Sequence, residues 1–238
     1  MKIDILAFGA HPDDVELGAA GTLAKHAAKG HTTGIIDLTQ GEMGTRGTPE
    51  VRIKEAQQAA KILGCAFRVN LNMRDGCISN TEENRLRIIE QVRKYRPEIV
   101  LCNAPTDRHP DHGHASNLVR EACFLAGLGK LETTFDGEKQ EPWRPKRVYH
   151  YIQFFPLNPD FIVDVSGFYD QKLASIKAHE SQFYNPESNE PETVIASKYF
   201  FDSIEGRSRE YGRSIYAEHG EGFVTTEKIG VDDLFSVK

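Results

Sequence analysis

Two short stretches of this 238-residue chain concentrate the side chains that bind metal ions and move protons. Residues 9–16 read GAHPDDVE, and residues 106–114 read TDRHPDHGH. A catalytic zinc site uses about three ligands from His, Asp or Glu and leaves one position open for water. One histidine and one carboxylate from the first stretch, with one histidine from the second, would supply that set. The sequence therefore predicts a divalent-metal site for hydrolysis that is shared by two loops.

Each stretch also has an ordinary structural interpretation. Asp13 and Asp14 stand where a helix begins, and acidic residues are common at helix N-termini. A single histidine such as His11 is more often structural than metal-binding, while His109 and His112 could be surface residues. The structural interpretation, however, needs two independent His/Asp loops to arise by coincidence. The metal interpretation is therefore favoured.

The elements that must position these loops follow an alternating pattern of short apolar runs and longer amphipathic stretches, which is typical of an α/β protein with a parallel sheet. No linker or internal repeat divides the chain, so we predict one domain over residues 1–238. Residues 130–146 predict a surface loop or a small hairpin. The predicted strands are residues 3–8, 33–38, 67–71, 98–103, 147–153 and 161–165. The predicted helices are residues 15–29, 49–63, 82–95, 114–125, 169–182 and 203–216.

Both His/Asp stretches directly follow predicted strands. Residues 9–16 come after the first strand, and residues 106–114 come after the strand at residues 98–103. Open parallel sheets bind ligands at the carboxyl ends of their strands, so the two loops should lie on the same rim of the sheet. Pro12 and Pro110 restrict the backbone of the two loops, which helps to hold ligands in place.

Composition limits the partners. The chain has 35 acidic and 29 basic residues, a formal charge of −6 and no basic run, so no nucleic-acid partner is expected. No apolar stretch approaches the roughly 18 residues of a membrane span, and no signal peptide is visible. We therefore predict a cytoplasmic protein without membrane contact. The cysteines lack the spacing of a zinc ribbon or a disulfide framework; they are Cys65, Cys77, Cys102 and Cys123.

Other enzyme classes lack their motifs in this chain. The first turn, residues 8–13 (FGAHPD), has no GxGxxG spacing and places two carboxylates near the position of a dinucleotide pyrophosphate. An NAD-binding protein is therefore disfavoured. No GxxxxGK[ST] element and no GxSxG elbow is present.

Residues 10–16 (AHPDDVE) resemble the AHPDD(x)E motif of the LmbE-like, or PIG-L, family of zinc deacetylases, and residues 109–112 resemble its HPDH motif. The resemblance extends to residues 39–42, 48–56, 180–183 and 217–223. It implies an α/β, Rossmann-like fold with a mainly parallel sheet and helices on both faces. It also implies removal of an acetyl group from an N-acetylglucosamine unit carried on an aglycone.

Within the family, the chain is most similar to members of the bacillithiol pathway, over residues 3–16, 108–113 and 184–197. The resemblance then implies N-acetyl-α-D-glucosaminyl L-malate as the small-molecule substrate. A chitooligosaccharide or an inositol glycoside is the alternative substrate. A metal-dependent sugar-binding protein that has lost catalysis is an alternative of a different class. Relatives form homo-oligomers, so the same is expected here.

The resemblance also assigns roles to the two motifs. His11, Asp14 and His112 would hold one Zn²⁺ per chain, with Fe²⁺ or another divalent ion as the alternative. Asp13 would be the general base for the attacking water. His109 would act as a general acid or stabilise the oxyanion.

The remaining roles concern the surroundings of the metal and the leaving group. Asp111 would lie behind the site and orient an imidazole. The proton for the leaving amine could come from His109 or from Asp13.

The aglycone predicts cationic residues in the pocket, because malate carries two carboxylates that arginine forks bind well. Arg52 matches a position where the family places a substrate-contacting arginine. Arg46 and Arg108 are further candidates, and each could equally be a surface charge. Some relatives use a late-loop tyrosine against the oxyanion, and Tyr184 or Tyr199 could take that role here.

Overall fold

Nine strands and six α-helices make up the computed structural model, which describes residues 2–237. The strands are β1 (Ile5–Gly9), β2 (Thr33–Thr39), β3 (Phe67–Met73), β4 (Ile99–Asn103), β5 (Thr134–Phe135), β6 (Glu138–Lys139), β7 (Arg147–Tyr151), β8 (Phe161–Asp164) and β9 (Gly220–Val224). The helices are α1 (Asp14–Ala28), α2 (Pro49–Leu63), α3 (Glu82–Tyr95), α4 (Pro110–Ala126), α5 (Tyr169–Lys177) and α6 (Lys198–Ser214), followed by a 3₁₀ turn at Leu234–Ser236.

Seven of the strands form one sheet in the order β3-β2-β1-β4-β7-β9-β8. The first five are parallel, whereas β9 runs antiparallel to both β7 and β8. The remaining two strands, β5 and β6, form the small hairpin within residues 130–146. The prediction of a mainly parallel α/β sheet is confirmed.

Alternate side chains of β1 enter two different cores. Leu6 and Phe8 pack with buried residues of α3 and α4, such as Ile88. Ile5 and Ala7 pack on the other face, with Leu23 of α1 among their neighbours. Because side chains along a strand alternate between the two faces, a central strand with helices on both sides must be apolar throughout. The expectation of helices on both faces is therefore confirmed.

Some element boundaries differ from the predicted ones. The helix predicted to begin at residue 114 begins at Pro110, because His109 acts as its N-cap and proline suits the first helical position. The helix predicted to end at residue 182 ends at Lys177. Strand β9 was not predicted, since its two glycines weaken the strand pattern. No helix within residues 2–237 has the length and apolar character needed to cross a membrane.

A buried ion cluster joins α1, β2 and β3 beneath the rim of the sheet. The Arg68 guanidinium donates to Asp37 Oδ2 and Oδ1 at 2.7 and 2.8 Å, and it also contacts Glu16. Burial raises the pKa of Glu16, but Arg68 outweighs this effect and lowers the value to about 2. The fully buried His179 ring adds a contact of 3.4 Å between its Nε2 and Glu16 Oε1. The cluster holds the start of α1 against the sheet.

Replacing Arg68 with methionine would leave two buried carboxylates without their guanidinium partner. We expect Arg68→Met to lower the free energy of unfolding by about 3–5 kcal/mol. Urea denaturation would measure the loss. The control, Arg213→Met, removes an exposed pair with Glu210 and should leave the urea midpoint nearly unchanged. Equal midpoints for the two variants would contradict a structural role for the cluster.

Candidate metal centre

The two His/Asp loops meet because β1 and β4 are neighbours in the sheet. These strands are parallel, with Ile5 paired to Ile99 and Ala7 paired to Leu101. From β1 the chain continues to β2 on one side, and it returns as β4 on the other side. This arrangement is a topological switch point, the place where open α/β sheets bind ligands. The structure therefore brings both loops to one rim, as the sequence predicts.

His11, Asp14 and His112 lie together at this point, and each is less than a tenth exposed. Asp14 Oδ2 is 3.5 Å from His11 Nδ1, and Asp14 Oδ1 is 3.2 Å from His112 Nε2. A nitrogen atom of His109 also lies within 4.8 Å of ring nitrogens of His11 and His112. Two donor atoms on one tetrahedral zinc ion, each at about 2.0–2.1 Å, are roughly 3.3 Å apart. Asp14 is therefore within reach of a small divalent cation held by either histidine. The side chains whose donor atoms all lie within 4.8 Å of one another form two groups, His11 with His109 and His112, and His11 with Asp75 and Asp111.

Carboxylates lie behind both imidazoles. His112 Nδ1 is 2.8 Å from Asp107 Oδ2. His11 Nε2 is 3.0 Å from Asp75 Oδ1 and 3.5 Å from Asp111 Oδ2. Such partners fix the orientation of a metal-binding imidazole and raise its basicity. Asp111 thus faces an imidazole, as its assigned role requires, although Asp75 is closer to the ring.

Two of these carboxylates received no role from the sequence. Asp107 lies within the second His/Asp stretch, but the sequence assigned the role of orienting an imidazole to Asp111 instead. Asp75 stands apart from any histidine, in the run MRDGC at residues 73–77. The sequence feature that could have identified Asp75 is its position just after β3, because the carboxyl end of that strand reaches the same rim of the sheet. Met43 N also donates to Asp75 Oδ2 at 2.9 Å and ties the loop after β2 to the site.

An amide pair fixes the carboxylate of Asp14. Asn103 Nδ2 donates to Asp14 Oδ2 at 3.0 Å, and Gln153 Nε2 donates to Asp14 Oδ1 at 2.8 Å. The two amides are joined, because Asn103 Nδ2 also lies 2.9 Å from Gln153 Oε1. The His11 backbone N–H adds a bond of 2.9 Å to Asp14 Oδ2. Asp14 is therefore held in one orientation, with each oxygen facing one of the two histidines.

The electrostatics of the cluster favour a cation. Burial raises the pKa of Asp14, but His112 and His11 outweigh this and hold it well below its usual value. Burial lowers the pKa of His112, yet Asp14 and Asp107 outweigh it and raise the value to about 9. The same balance raises the pKa of His11 well above its usual value. A divalent ion would compete with protons for these nitrogens, as expected of metal ligands surrounded by carboxylates.

Asp13 is not an ordinary helix cap. It precedes α1, but its side chain makes no capping hydrogen bond, and its φ of 141° is strained for any residue other than glycine. Its Oδ2 instead accepts a hydrogen bond of 3.1 Å from Arg52 Nη2. Burial raises the pKa of Asp13 to about 6, against the opposing effect of Arg52. A buried carboxylate with a raised pKa is suited to accept a proton.

His109 caps α4 with its ring. Its Nδ1 accepts a hydrogen bond of 3.2 Å from the Asp111 backbone N–H, so the neutral ring carries its proton on Nε2. The ring packs edge-on against His11, with centroids 4.6 Å apart, and it lines the cavity above the cluster. Burial lowers the pKa of His109 below its usual value. His109 can therefore present an N–H donor to a bound molecule.

The three arginines of the sequence prediction have different surroundings. Arg52 is buried and donates to Gly41 O at 2.8 Å as well as to Asp13, and a Cβ on Gly41 would lie 1.9 Å from the Arg52 guanidinium. Arg46 pairs with Glu190 at 3.3 Å and with Ser188 at 2.7 Å.

Arg108 is exposed and lies over the Phe154 ring, 5.1 Å from its centroid. No described carboxylate forms an ion pair with its guanidinium. Arg108 is thus the member of the three that remains available to an anionic ligand.

A cavity of about 170 Å³ opens over the cluster, and its walls include Asp13, Arg108, His109 and Phe154. The described residues that line it include neither Tyr184 nor Tyr199. Tyr199 is 68% exposed, and Tyr184 lines a separate groove. The structure therefore places no tyrosine of the late loop at this cavity.

Removing one of the proposed metal ligands should prevent the protein from binding a divalent metal ion. We expect His112→Ala to purify with little or no divalent metal, because two of the three ligands remain and Asp107 loses its partner. Elemental analysis of the purified protein would measure the metal content. The control is His114→Ala, since His114 lies on the same helix with its side chain 60% exposed. Stoichiometric metal in His112→Ala would show that the third ligand is another residue.

Comparisons with known proteins identify the family of this chain. The family model for PIG-L, described as GlcNAc-PI de-N-acetylase, matches residues 6–123. The diacetylchitobiose deacetylase of Thermococcus kodakarensis is 34% identical, over 75% of this chain and 70% of that protein. A conserved protein from Thermus thermophilus has a crystal structure that matches with a TM-score of 0.86 and 38% identity, over 98% of each chain. The N,N'-diacetylchitobiose deacetylase from Pyrococcus horikoshii matches with a TM-score of 0.77 and 26% identity, over 92% of this chain and 82% of that one. The chain therefore belongs to the PIG-L family of deacetylases.

Proposed function

We propose that this protein hydrolyses the N-acetyl group of an N-acetylglucosaminyl conjugate with the help of one divalent metal ion, and that N-acetyl-α-D-glucosaminyl L-malate is its substrate. The products would be acetate and the free amine. The observation that carries the proposal is that Asp13 and His109 face the same cavity as the triad of His11, Asp14 and His112. The cytoplasmic location and the homo-oligomeric state remain predictions from the sequence.

The triad of one carboxylate and two imidazoles would hold the metal. Mixed nitrogen and oxygen donors suit Zn²⁺, with Fe²⁺ as the alternative. When bound, the ion would supply a Lewis acid that polarises the acetyl carbonyl and lowers the pKa of a water molecule toward about 7.

Asp13 would serve as the general base. Water attacks the acetyl carbon through its oxygen, and the proton that it loses passes to the Asp13 carboxylate. The bond from Arg52 holds this carboxylate at the cavity wall, and the exclusion of water around it keeps its proton affinity high. Asp13 can therefore take the proton without leaving its place beside Asp14.

His109 would assist the departure of the amine. Its Nε2–H can donate a hydrogen bond to the oxyanion that forms as the carbonyl is attacked. To act as the general acid, His109 would first take up a proton on Nδ1, and the imidazolium would then pass its Nε2 proton to the amide nitrogen as the C–N bond breaks. The protonated Asp13 is the alternative donor to that nitrogen. When Asp13 is the donor, the proton taken from water reaches the nitrogen; when His109 is the donor, Asp13 releases that proton to solvent and His109 regains one from solvent. In both cases the amine leaves neutral, and the acetic acid formed loses its proton to solvent as acetate.

The choice of malate rests on Arg108. Its guanidinium lies at the cavity beside an aromatic ring, and it has no carboxylate partner among the described residues. Arginine forks bind carboxylates through paired hydrogen bonds. Arg46 and Arg52, by contrast, are already engaged with Glu190 and Asp13. A carboxylate of an anionic aglycone would therefore supply the acidic partner that Arg108 lacks among the described residues.

A second candidate substrate is diacetylchitobiose. Two similar proteins, from Thermococcus kodakarensis and Pyrococcus horikoshii, carry names that state this activity. This disaccharide is neutral and would not need the charge of Arg108. The two candidates therefore differ in how they should respond to a change at that position.

Comparing glycosides tests the substrate. The metal-loaded protein should deacetylate the malyl glycoside with a higher kcat/KM than diacetylchitobiose or the inositol glycoside. Arg108→Gln should raise KM for the malyl glycoside about tenfold or more and leave KM for the neutral substrates unchanged. Arg213→Gln, at an exposed site on α6, is the control. A higher kcat/KM for diacetylchitobiose would make it, and not the malyl glycoside, the substrate. If none of the three glycosides is deacetylated, the proposal that this protein is a deacetylase is wrong.

Removing the base tests the mechanism. We expect Asp13→Asn to lower kcat by about 10²–10⁴-fold while the metal content stays unchanged, because the amide cannot accept the proton. Steady-state assays with elemental analysis of the same samples would measure both. Asp136→Asn is a matched control, since Asp136 also has a positive φ but lies in the β5–β6 turn. Full activity in Asp13→Asn would exclude Asp13 as the base.

A further inference from the structure

The C-terminal arm, defined as residues 228–237, exposes apolar side chains. Leu234 and Phe235 are 85% and 97% exposed, although they follow one another in sequence. Within the described chain, each hydrogen bond of the arm joins two of its own residues. Clusters of exposed apolar side chains commonly mark interaction surfaces. The exposed apolar residues of the arm are Ile229, Val231, Leu234, Phe235 and Val237.

A second feature, the basic cavity, lies between α4 and the start of β7 and has a volume of about 300 Å³. Phe124, 58% exposed, contributes to its apolar wall together with Val148. The Arg144 guanidinium lies 4.2 Å from the centroid of the Phe124 ring and has no carboxylate partner among the described residues. The cations of the cavity are Arg120, Arg144, Lys146 and Arg147, and its acids are Glu121 and Glu227.

The basic cavity is separate from the metal centre. It borders the amino-terminal end of β7, which begins at Arg147, whereas the metal ligands follow the carboxyl ends of β1 and β4. The two sites therefore lie at opposite ends of the parallel strands. A ligand in the basic cavity would not contact the catalytic residues.

The arm and the basic cavity are complementary in chemistry. Asp232 and Asp233 directly precede the exposed Leu234 and Phe235. Carboxylates of this kind pair with arginine forks, while an aromatic ring suits an apolar wall that also carries a guanidinium. Arg120, Lys146 and Arg147 pair with Glu121, Glu98 and Glu227, which leaves Arg144 as the cation of the cavity with no acidic partner among the described residues. An acidic and apolar segment thus matches the guanidinium of Arg144 and the exposed aromatic wall at Phe124.

The arm of the same chain does not fill this cavity. Thr226 and Glu227 belong to the cavity wall, so the arm begins at its edge, but Phe235 remains in solvent. Residues 228–237 can span at most about 33 Å when extended. Two copies related by a two-fold axis could therefore exchange their arms across a shared edge, and such an interface closes on itself.

We propose that the C-terminal arm of one copy of this protein docks into the basic cavity of a second copy. Leu234 and Phe235 contact the apolar wall at Phe124, and Asp232 and Asp233 pair with Arg144. The exchange is reciprocal, so each pair of copies contains two such contacts. The exposed apolar residues of the arm then become buried.

Sedimentation velocity on the full chain tests the proposal. The unmodified protein should sediment with at least twice the mass of one chain, and the double variant Leu234→Asp/Phe235→Asp should show that mass reduced by half or more. Tyr216→Asp is the control, because Tyr216 is also 97% exposed but lies away from the arm, and aspartate tolerates its positive φ. Deacetylation per chain should be the same in all three proteins.

Charge exchange tests the cavity itself. Arg144→Glu should reduce assembly in the same way, and adding Asp232→Arg with Asp233→Arg to that variant should restore it. Restoration also shows that Arg144→Glu folds. A synthetic peptide of residues 228–237 should dissociate the unmodified assembly.

Three results would overturn the proposal: a monomeric unmodified protein, an unchanged mass in the arm variant, or an unchanged mass in Arg144→Glu. If the protein is monomeric and the peptide binds it, the cavity accepts the arm without a second copy, and the exchange is excluded.

Discussion

The metal centre depends on the junction between two parallel strand ends, and the side chain of Asn103 makes that junction. Its Oδ1 accepts a hydrogen bond of 3.0 Å from Ala10 N, so the last residue of β4 holds the chain leaving β1. Its Nδ2 donates to Asp14, which faces both histidines. Asn103 is fully buried, so water does not compete for these bonds. A single amide thus couples the register of the sheet to the geometry of the site.

The charged groups of the site are arranged in layers. The imidazoles, Asp14 and Asp75 line the cavity, Asp107 and Asp111 lie behind the imidazoles, and beneath the rim the Glu16–Arg68–Asp37 cluster holds the start of α1. Each carboxylate would be costly to bury alone, but each has a hydrogen-bond or ionic partner. The strained backbone of Asp13 is maintained because the bond from Arg52 and the contacts of α1 fix the residues on both sides. The protein therefore sustains an unfavourable local conformation in order to aim one carboxylate at the cavity.

Much of this architecture was predictable from local patterns. The alternation of apolar runs indicated the parallel strands, and the positions of His11 and His112 after two of them indicated the metal site. Asp75 and Gln153 could not be assigned in this way, because their roles arise only when β3 and β7 are arranged beside β1 and β4. The start of α4 was misplaced because Pro110 and Asp111 look like loop residues, although proline is favoured in the first turn of a helix. Sequence patterns thus identified His and Asp residues that line the cavity, whereas partners brought by tertiary contacts required the structure.

The three arginines illustrate why the substrate is harder to predict from the sequence than the metal-binding and proton-transferring residues are. In the sequence they are equivalent cations near the motifs, yet Arg52 binds the Asp13 carboxylate and Arg46 joins the loop after β2 to the loop that carries Glu190. Gln182 strengthens that joint with a bond of 2.8 Å to Arg46 O. The wall of the cavity is therefore built from loops, whereas the metal ligands lie at strand ends and the first turns of helices. Loops tolerate change far better than a buried sheet does, so one catalytic set can serve different aglycones as the loops vary.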